Sequence, residues 1–383
     1  MSRRDPLADI RVLDLSRLIP GALASRKLAD LGADVVKVEQ PGRGDYLRQV
    51  RPIIGGASVW HHLLNRGKRS IALDLLSASG LEQFNRLVAK ADVLIESARP
   101  GRWKQLGLDL DAVRRRHPAL VVCSISGFGQ TGPWRDLPSH GKNMDALAGV
   151  MPIVDDGQSA PRMSLGLYAS LGSEAAGLNA AFAILAAVHG ARSSGTGAWL
   201  DISCWDSAVE MNRAAMAIQA ATGASFEQQR GEAPLYALYR TSDDGLVLFA
   251  AIEFKFFERF CVGIGRPDLL TEWRSDGELD FGDDGLRNTL EPIFAERTAS
   301  QWQQHFLDWD VTGCQVMDPR RLLGEPHLAE RGLLIDGEPG LPPTVLDPVR
   351  FADSGERVGT GRRPAPELGA DEAVVLHEWL ETT

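Results

Sequence analysis

Five short apolar runs in the first 125 residues, with helical patterns between several of them, constrain the fold of this chain more than any other feature. They are IRVLDL (10–15), ADVVKVE (33–39), RSIALDL (69–75), DVLIE (92–96) and LVVCSI (120–125). Runs of this length, rich in Val, Ile and Leu, read as buried strands. Helix patterns fall at Ala22–Leu31, with Pro20 near its start and Gly32 beyond its end, at Ser79–Ala91 and at Leu110–Arg116. Strands alternating with helices at this spacing imply right-handed βαβ units and a parallel sheet.

The pattern changes further along. Glu174–Arg192 is alanine-rich and apolar on most faces, which predicts a buried helix ended by Gly195 to Gly197. WLDIS (199–203) reads as one more strand and Asp206–Ala221 as a single helix. LYALYRT and LVLFAAIE, joined by SDDG, read as an antiparallel hairpin. Thr298 and Gln301 make a capping box for the helix TASQWQQHFLDW. From Gly337 onward Gly and Pro mark a long connection. The last helix, Asp371–Leu380, needs a surface, and the first domain offers one. The expected division is therefore a large α/β domain from residues 1–222 and 335–383, and a smaller α+β domain at 223–334.

Composition narrows the class. With 44% apolar and 24% charged residues the chain has a soluble composition, and its net charge of −10 argues against nucleic acid and anionic membranes as partners. No apolar run follows the basic N-terminus, so no signal peptide is expected, and the longest apolar run, Ala180–Val188, is too short to span a bilayer. Cys123, Cys204, Cys261 and Cys314 stand apart, which reads as reduced thiols in a cytoplasmic protein without disulfides or a zinc site. His61 and His62 are adjacent and point apart on a regular element, so no metal site is expected there. The turn after the first run is SRLIPG rather than GxGxxG, so NAD is not expected. GxxxxGK[ST] and GxSxG are also missing.

Chemistry-bearing residues cluster at the predicted strand ends. Arg99, Arg102 and Lys104 follow DVLIE beside a predicted helix start, where phosphates could be held. The same residues suit an ordinary solvated basic turn. The stretch Ser126–Gly149 carries five glycines, two prolines and the lone His140, and its composition predicts a loop without regular structure. Glu253 ends an apolar strand and suits either a surface charge or a cleft. Trp134, Met144, Met151 and Met163 suit either an acyl pocket or core packing.

Taken in order, LADLGADVVKVEQPGRGD, NRGKRSIALDL, ADVLIESARPG, KQLGL, SGFGQTGP, GAWLDIS with Asp206 after it, PHLAERG and RPAPELG span most of the chain. This ordered set resembles the class III CoA-transferases (CaiB/BaiF type), which share their fold with α-methylacyl-CoA racemases. The resemblance implies an interlocked homodimer with a Rossmann-like large domain. It implies that coenzyme A, as an acyl-CoA substrate, lies along Leu18, Ile19, Gln40, Leu73, Leu76, Ser97, Ala98, Arg99 and Arg102. Gln40 stands where the family commonly has arginine.

The resemblance also frames the reaction. Transferases of this family use an aspartate that ends a Leu-Gly-Asp segment and forms a covalent anhydride, and here the segment is Leu171-Gly172-Ser173, with Glu174 next. Racemases use a histidine at the position of His140. The backbone N–H of Gly141 would then hold the thioester oxygen, and a glutamate, Glu253 in AAIEFKFF, would support the base. Their second acid is the aspartate replaced here by Ser173. Three readings stay open. The first is α-proton abstraction from a 2-substituted acyl-CoA by His140, with Glu174 as a second acid. The second is CoA transfer to a small carboxylic acid through Glu174. The third is a CoA-binding subunit that pairs with an active homologue.

Overall fold

In the computed structural model, residues 5–154, 157, 160–163, 170–225, 228, 233–273, 277 and 279–381 are described. The chain divides into two compact units, Met1–Arg213 with Arg331–Thr383, and Ala214–Glu330.

The first unit is built on six parallel strands: β1 (Arg11–Asp14), β2 (Asp34–Glu39), β3 (Arg69–Ala72), β4 (Val93–Glu96), β5 (Val121–Ser126) and β6 (Trp199–Ser203). Their spatial order is β3-β2-β1-β4-β5-β6, so the winding reverses between β1 and β4. Open α/β sheets bind ligands outside the carboxyl ends of the strands at such a reversal. The helices are α1 (Ile19–Asp30), α2 (Val59–Asn65), α3 (Ala78–Val88), α4 (Leu110–Arg116), α5 (Lys142–Leu147), α6 (Leu171–Ser194) and α7 (Cys204–Met211). α8 (Arg213–Thr222) begins where the two units divide.

Alternation along the strands fills both faces of the sheet. Val12, Val35, Val93 and Val121 join α1 and α6 in one core, which includes Leu28, Ala176, Ala180 and Ile184. Leu13, Val36, Leu94 and Val122 join α3 and α4 in the other, with Phe84, Leu87 and Val113. Each such side chain contributes about 1.5–3 kcal/mol on burial. Val375 and Trp379, on the final helix Glu372–Leu380, complete the second core. Trp379 Nε1 donates to Asp34 Oδ2 at 2.7 Å.

The second unit has its own aromatic core. Its strands β7 (Ala237–Arg240), β8 (Leu246–Phe249) and β9 (Gly313–Gln315) form an antiparallel sheet. α9 (Phe254–Gly263), α10 (Asp284–Phe294) and α11 (Ala299–Asp308) carry Phe260, Phe294, Trp302 and Phe306 into its core. The Thr298–Gln301 capping box is present at the start of α11.

Three expectations need correction. Ser126–Gly149 is not wholly irregular: α5 forms within it, because Met144 buries its side chain in the first core and Asp145 meets the start of α6. The predicted helix Asp206–Ala221 is two helices broken at Asn212, whose side-chain amide donates to Ala148 O at 2.9 Å. The apolar segment is not limited to 180–188: α6 runs for 24 residues and, by length and composition alone, could cross a membrane. Its buried face packs on α1, α7 and the sheet.

Beneath the carboxyl ends of β1 and β2 the interior is ionic. Lys37 and Lys68 are fully buried. Lys37 Nζ pairs with Asp45 Oδ2 at 3.0 Å and donates to Ser16 O at 2.9 Å. Lys68 Nζ meets Asp14 Oδ2 at 3.2 Å, Asn65 Oδ1 at 2.8 Å and Ala22 O at 3.0 Å. Glu39 accepts the Asp45 N–H at 2.9 Å and both arms of the Arg48 fork at 2.8 and 2.6 Å. Buried charges survive only when paired and hydrogen-bonded, as each of these is. Burial works against ionising Asp14, but Lys37, Lys68 and the hydroxyls of Ser16 and Ser25 outweigh it and hold the carboxyl at about 2. Burial likewise opposes the charge of Glu39, and Arg48 and Lys37 bring it to about 2. Burial lowers Lys68 to about 8 despite Asp14.

These shifts set the acid response. The ordinary values of Asp14 and Glu39 are 3.8 and 4.5. As pH falls from 4.5 towards 2, the unfolded chain takes up protons that the native chain refuses, so stability falls through that window. Each carboxylate accounts for roughly 2–3 kcal/mol of the loss. Urea unfolding followed across that window should show the decline, and Glu39→Gln should flatten part of it. A slope unchanged in E39Q would refute the assignment.

Candidate active site

A cleft of about 380 Å³ opens at the carboxyl ends of β1 to β4, over the sheet's reversal. Its apolar wall includes Leu15, Leu73, Leu75, Leu76, Ala98 and Leu106, and its polar rim includes Arg17, Gln40, Ser97, Arg99 and Arg102. Seven residues singled out in the sequence therefore meet here: Gln40, Leu73, Leu76, Ser97, Ala98, Arg99 and Arg102. Leu18 and Ile19 stand just beyond the lining. Leu18 adopts φ 61°, ψ −153° and donates its N–H to the Asp45 carboxylate at 3.2 Å. A branched residue in that region of backbone space is rare and is held by its surroundings. Ile19 packs with Ala22, Leu23 and Leu64.

The arginine-rich turn differs from its expected form. The helix after Gly101 is a single four-residue turn, Arg102–Gln105, so its dipole adds little. Lys104 lines a second hollow of about 440 Å³ instead, with Trp103, Gln130, Arg135, Trp199 and Asp201. Between the hollows Glu96 is buried, and burial pushes its carboxyl up. It accepts from Ala98 N–H and Trp103 Nε1, each at 2.7 Å. Sequence reasoning missed Arg17, whose guanidinium lies 5.6 Å from the Tyr46 ring centroid, with Arg43 at 4.6 Å on the same ring. The signal was present in SRLIPG, a basic residue directly after the first strand.

His140 stands at the start of α5 with an exposed side chain. Its N–H donates to Asn143 Oδ1 at 2.7 Å and its carbonyl accepts from Asn143 N–H at 2.8 Å. Gly141 follows, and its carbonyl accepts from Ser170 Oγ at 3.0 Å. Ser170 caps α6 and places Ser173, 3% exposed, with its Oγ 3.1 Å from Ser170 Oγ. Asp145, 1% exposed, accepts from Gly172 N–H at 2.9 Å, Leu171 N–H at 3.1 Å and Ser170 Oγ at 3.2 Å. Asp145 and Ser170 were also missed, since their meeting depends on a contact across 25 residues.

Glu174 takes another direction. One residue on along a helix turns the side chain by about 100°. Burial raises its carboxyl, and the cations that oppose that rise are Arg26 and Lys27 of α1. Ser173 and Glu174 thus answer to different neighbours. Met144 is core, whereas Trp134 meets Phe128 and Trp205 edge to face and Met163 is exposed. In the second unit Glu253 precedes α9, and its carboxylate pairs with Lys255 Nζ at 2.7 Å, the side chain being 41% exposed.

Residues 7–372 match the model of the family described as CoA-transferase family III. The chain belongs to CoA-transferase family III. Its relatives include the succinate–glutarate CoA-transferase of Agrobacterium fabrum, 31% identical over 100% of this chain and 97% of that protein. The human α-methylacyl-CoA racemase is 31% identical over 87% of this chain and 83% of the racemase. Among solved structures, Rv3272 of Mycobacterium tuberculosis superposes with a TM-score of 0.83 at 29% identity, covering 98% of this chain and 100% of that one. Family members are CoA-thioester enzymes, with transferases and a racemase among them.

A thiol beside the serines raises the question of a family III enzyme working through cysteine. Burial, and then the Asp145 charge, push the Cys204 thiol up to about 12, with the Ser173 hydroxyl opposing. Burial also takes Cys261 to about 12 and raises Cys123. The thiolate is the reactive form, so these three are inert at neutral pH. Iodoacetamide applied to the native protein near pH 8 should alkylate Cys314, the exposed cysteine, and spare the others. Peptide mass spectrometry reads the outcome, and native-state labelling of Cys204 would contradict it.

Proposed function

We propose that this family III chain removes and returns the α-proton of a 2-substituted acyl-CoA, with His140 as the base. The carrying observation is the pair of residues around position 173. Ser173 has no carboxylate with which to form an anhydride, and Glu174 has Arg26 and Lys27 of α1 as its charged neighbours. The exposed imidazole of His140, on the loop after β5, is then the group best placed to act as the base. The racemase relative supports the same branch.

In this reading the cleft over β1 to β4 takes the nucleotide end of the CoA thioester, with Arg99 and Arg102 on its phosphates and the leucine wall against the base. His140 takes the α-proton, and the Gly141 N–H faces the thioester oxygen as the enolate forms. In this reading the protein works as a cytoplasmic homodimer, and the dimer draws support from Leu178 and Phe182 on α6, whose large apolar side chains are exposed in the single chain. A second reading, CoA transfer to a small carboxylic acid through Glu174, draws support from the several CoA-transferases among the relatives. A third keeps the chain as a CoA-binding subunit of a heteromer.

Incubation of a 2-methylacyl-CoA with the protein in deuterated water should place deuterium at the α-carbon. His140→Ala should slow the exchange roughly 100-fold or more. No exchange above the buffer blank, or an H140A variant equal to wild type, sinks the proposal. A thioester trapped on Glu174 would favour transfer instead. Separately, Arg99→Ala and Arg102→Ala should each weaken CoA binding roughly tenfold or more in calorimetry. Unchanged affinity in both would remove the cleft from the CoA site.

A further inference from the structure

We propose that Ser173, Ser170 and Asp145 form a proton relay that serves the face of the substrate opposite His140. The inference rests on the proposed α-proton reaction and supplies the acid that a lone serine cannot. Ser173 Oγ lies 3.1 Å from Ser170 Oγ, and Ser170 Oγ lies 3.2 Å from Asp145 Oδ1. Each hydroxyl carries one proton and two lone pairs. Ser173 can therefore donate to Ser170 while Ser170 donates to Asp145, and the chain can run in reverse.

The carboxylate at the end of the chain is unusual in its partners. Asp145 is buried, yet among the described residues no Lys, Arg or His lies in salt-bridge range of it. It is held by neutral donors: two backbone N–H groups in the first turn of a 24-residue helix, and one hydroxyl. Among the described residues Ser170 Oγ is the one side-chain group bonded to this carboxylate, so a proton can reach it through that hydroxyl without breaking an ion pair. The seat is specific. A Cβ at Gly172 would lie 3.1 Å from Asp145 Oδ1 and 2.6 Å from Cys204 O, so the carboxylate has its place because residue 172 has no side chain. Ser170 Oγ is also 3.0 Å from the carbonyl of Gly141, which joins the relay to the residue after His140.

The protons balance. In one direction neutral His140 takes the α-proton. The enolate carbon then takes the Ser173 proton, Ser173 takes that of Ser170, and Ser170 takes that of protonated Asp145. The enzyme ends as imidazolium and carboxylate, the form that accepts the opposite enantiomer and runs the steps backward. Only C–H, N–H and O–H bonds change, and the enzyme forms before and after hold the same number of protons. Ser173 is the group that meets the substrate, while Ser170 and Asp145 act through it.

Inversion and exchange are separable, and that makes the relay testable. A single enantiomer of a 2-methylacyl-CoA is incubated in deuterated water, and the product is resolved by chiral chromatography and mass spectrometry. Wild type should invert the centre and deuterate it. Asp145→Asn, Ser170→Ala and Ser173→Ala should lose inversion by roughly 100-fold. They should still exchange the enantiomer whose α-hydrogen faces His140. Ser170→Thr, which keeps a hydroxyl and remains a good helix cap, should recover inversion. Inversion at the wild-type rate in D145N, S170A or S173A overturns the relay. So does parallel loss of exchange and inversion in all three with unchanged melting temperatures, which would mean a purely structural role. No exchange by wild type would instead overturn the proposed reaction, and the relay with it.

Discussion

The buried ion cluster beneath the sheet's carboxyl edge governs the rest of the large unit. Asp14 and Lys37 are buried polar members of two neighbouring central strands, placed side by side by the β1–β2 register. Their partners come from segments otherwise free to wander: Ser16 from the turn into α1, Asp45 from the crossover after β2, and Lys68 from the entry to β3, while Glu39 at the end of β2 holds Arg48 of the same crossover. Each charge would be costly alone in this interior, so the loops cannot leave without exposing a partner to that cost. The cleft is shaped by loops, but those loops are fastened from below. Leu18 carries the sign of this, an unfavourable backbone geometry tolerated because its N–H meets Asp45.

A second constraint acts through α6. Glycine at 177 lets this helix approach α1 closely, since a Cβ there would meet Pro20 O at 2.9 Å and Leu23 Cβ at 3.0 Å. Close packing fixes the rotation of α6 about its axis, and the rotation decides which first-turn side chains look where. Ser173 is turned to Ser170 and Cys204, whereas the charges that act on Glu174 are those of Arg26 and Lys27. A change of one position along the chain is thus a change of chemical neighbourhood, and a carboxylate at 174 is no simple substitute for one at 173.

The strands were legible because their hydrophobic runs are short, repeated and bounded by turn residues. The cleft was largely legible for the same reason, since Gln40, Leu73, Ser97 and Arg99 follow strand ends that a parallel sheet brings to one edge. Local composition misled where tertiary contacts decided the outcome. The Gly- and Pro-rich stretch after β5 contains a helix because Met144 has a core to enter. The break at Asn212 depends on a carbonyl 64 residues away. The Ser170–Asp145 contact joins two helix starts across a separation that no periodicity encodes.

The final helix of the chain has a consequence for synthesis. Val375 and Trp379 close a core whose other members begin at Leu13, and Ser70 N–H is bonded to Asp371 across 301 residues. The large unit therefore cannot close this core until residues 371–380 have left the ribosome. Ala214–Glu330 is continuous in sequence and has a core of its own, so it can fold while the first strands still wait. Contacts of such long range also make the large unit the slow partner in refolding. During that wait the apolar face around Phe84 and Leu87 is open to other nascent chains, which makes the helix Glu372–Leu380 a shield against aggregation.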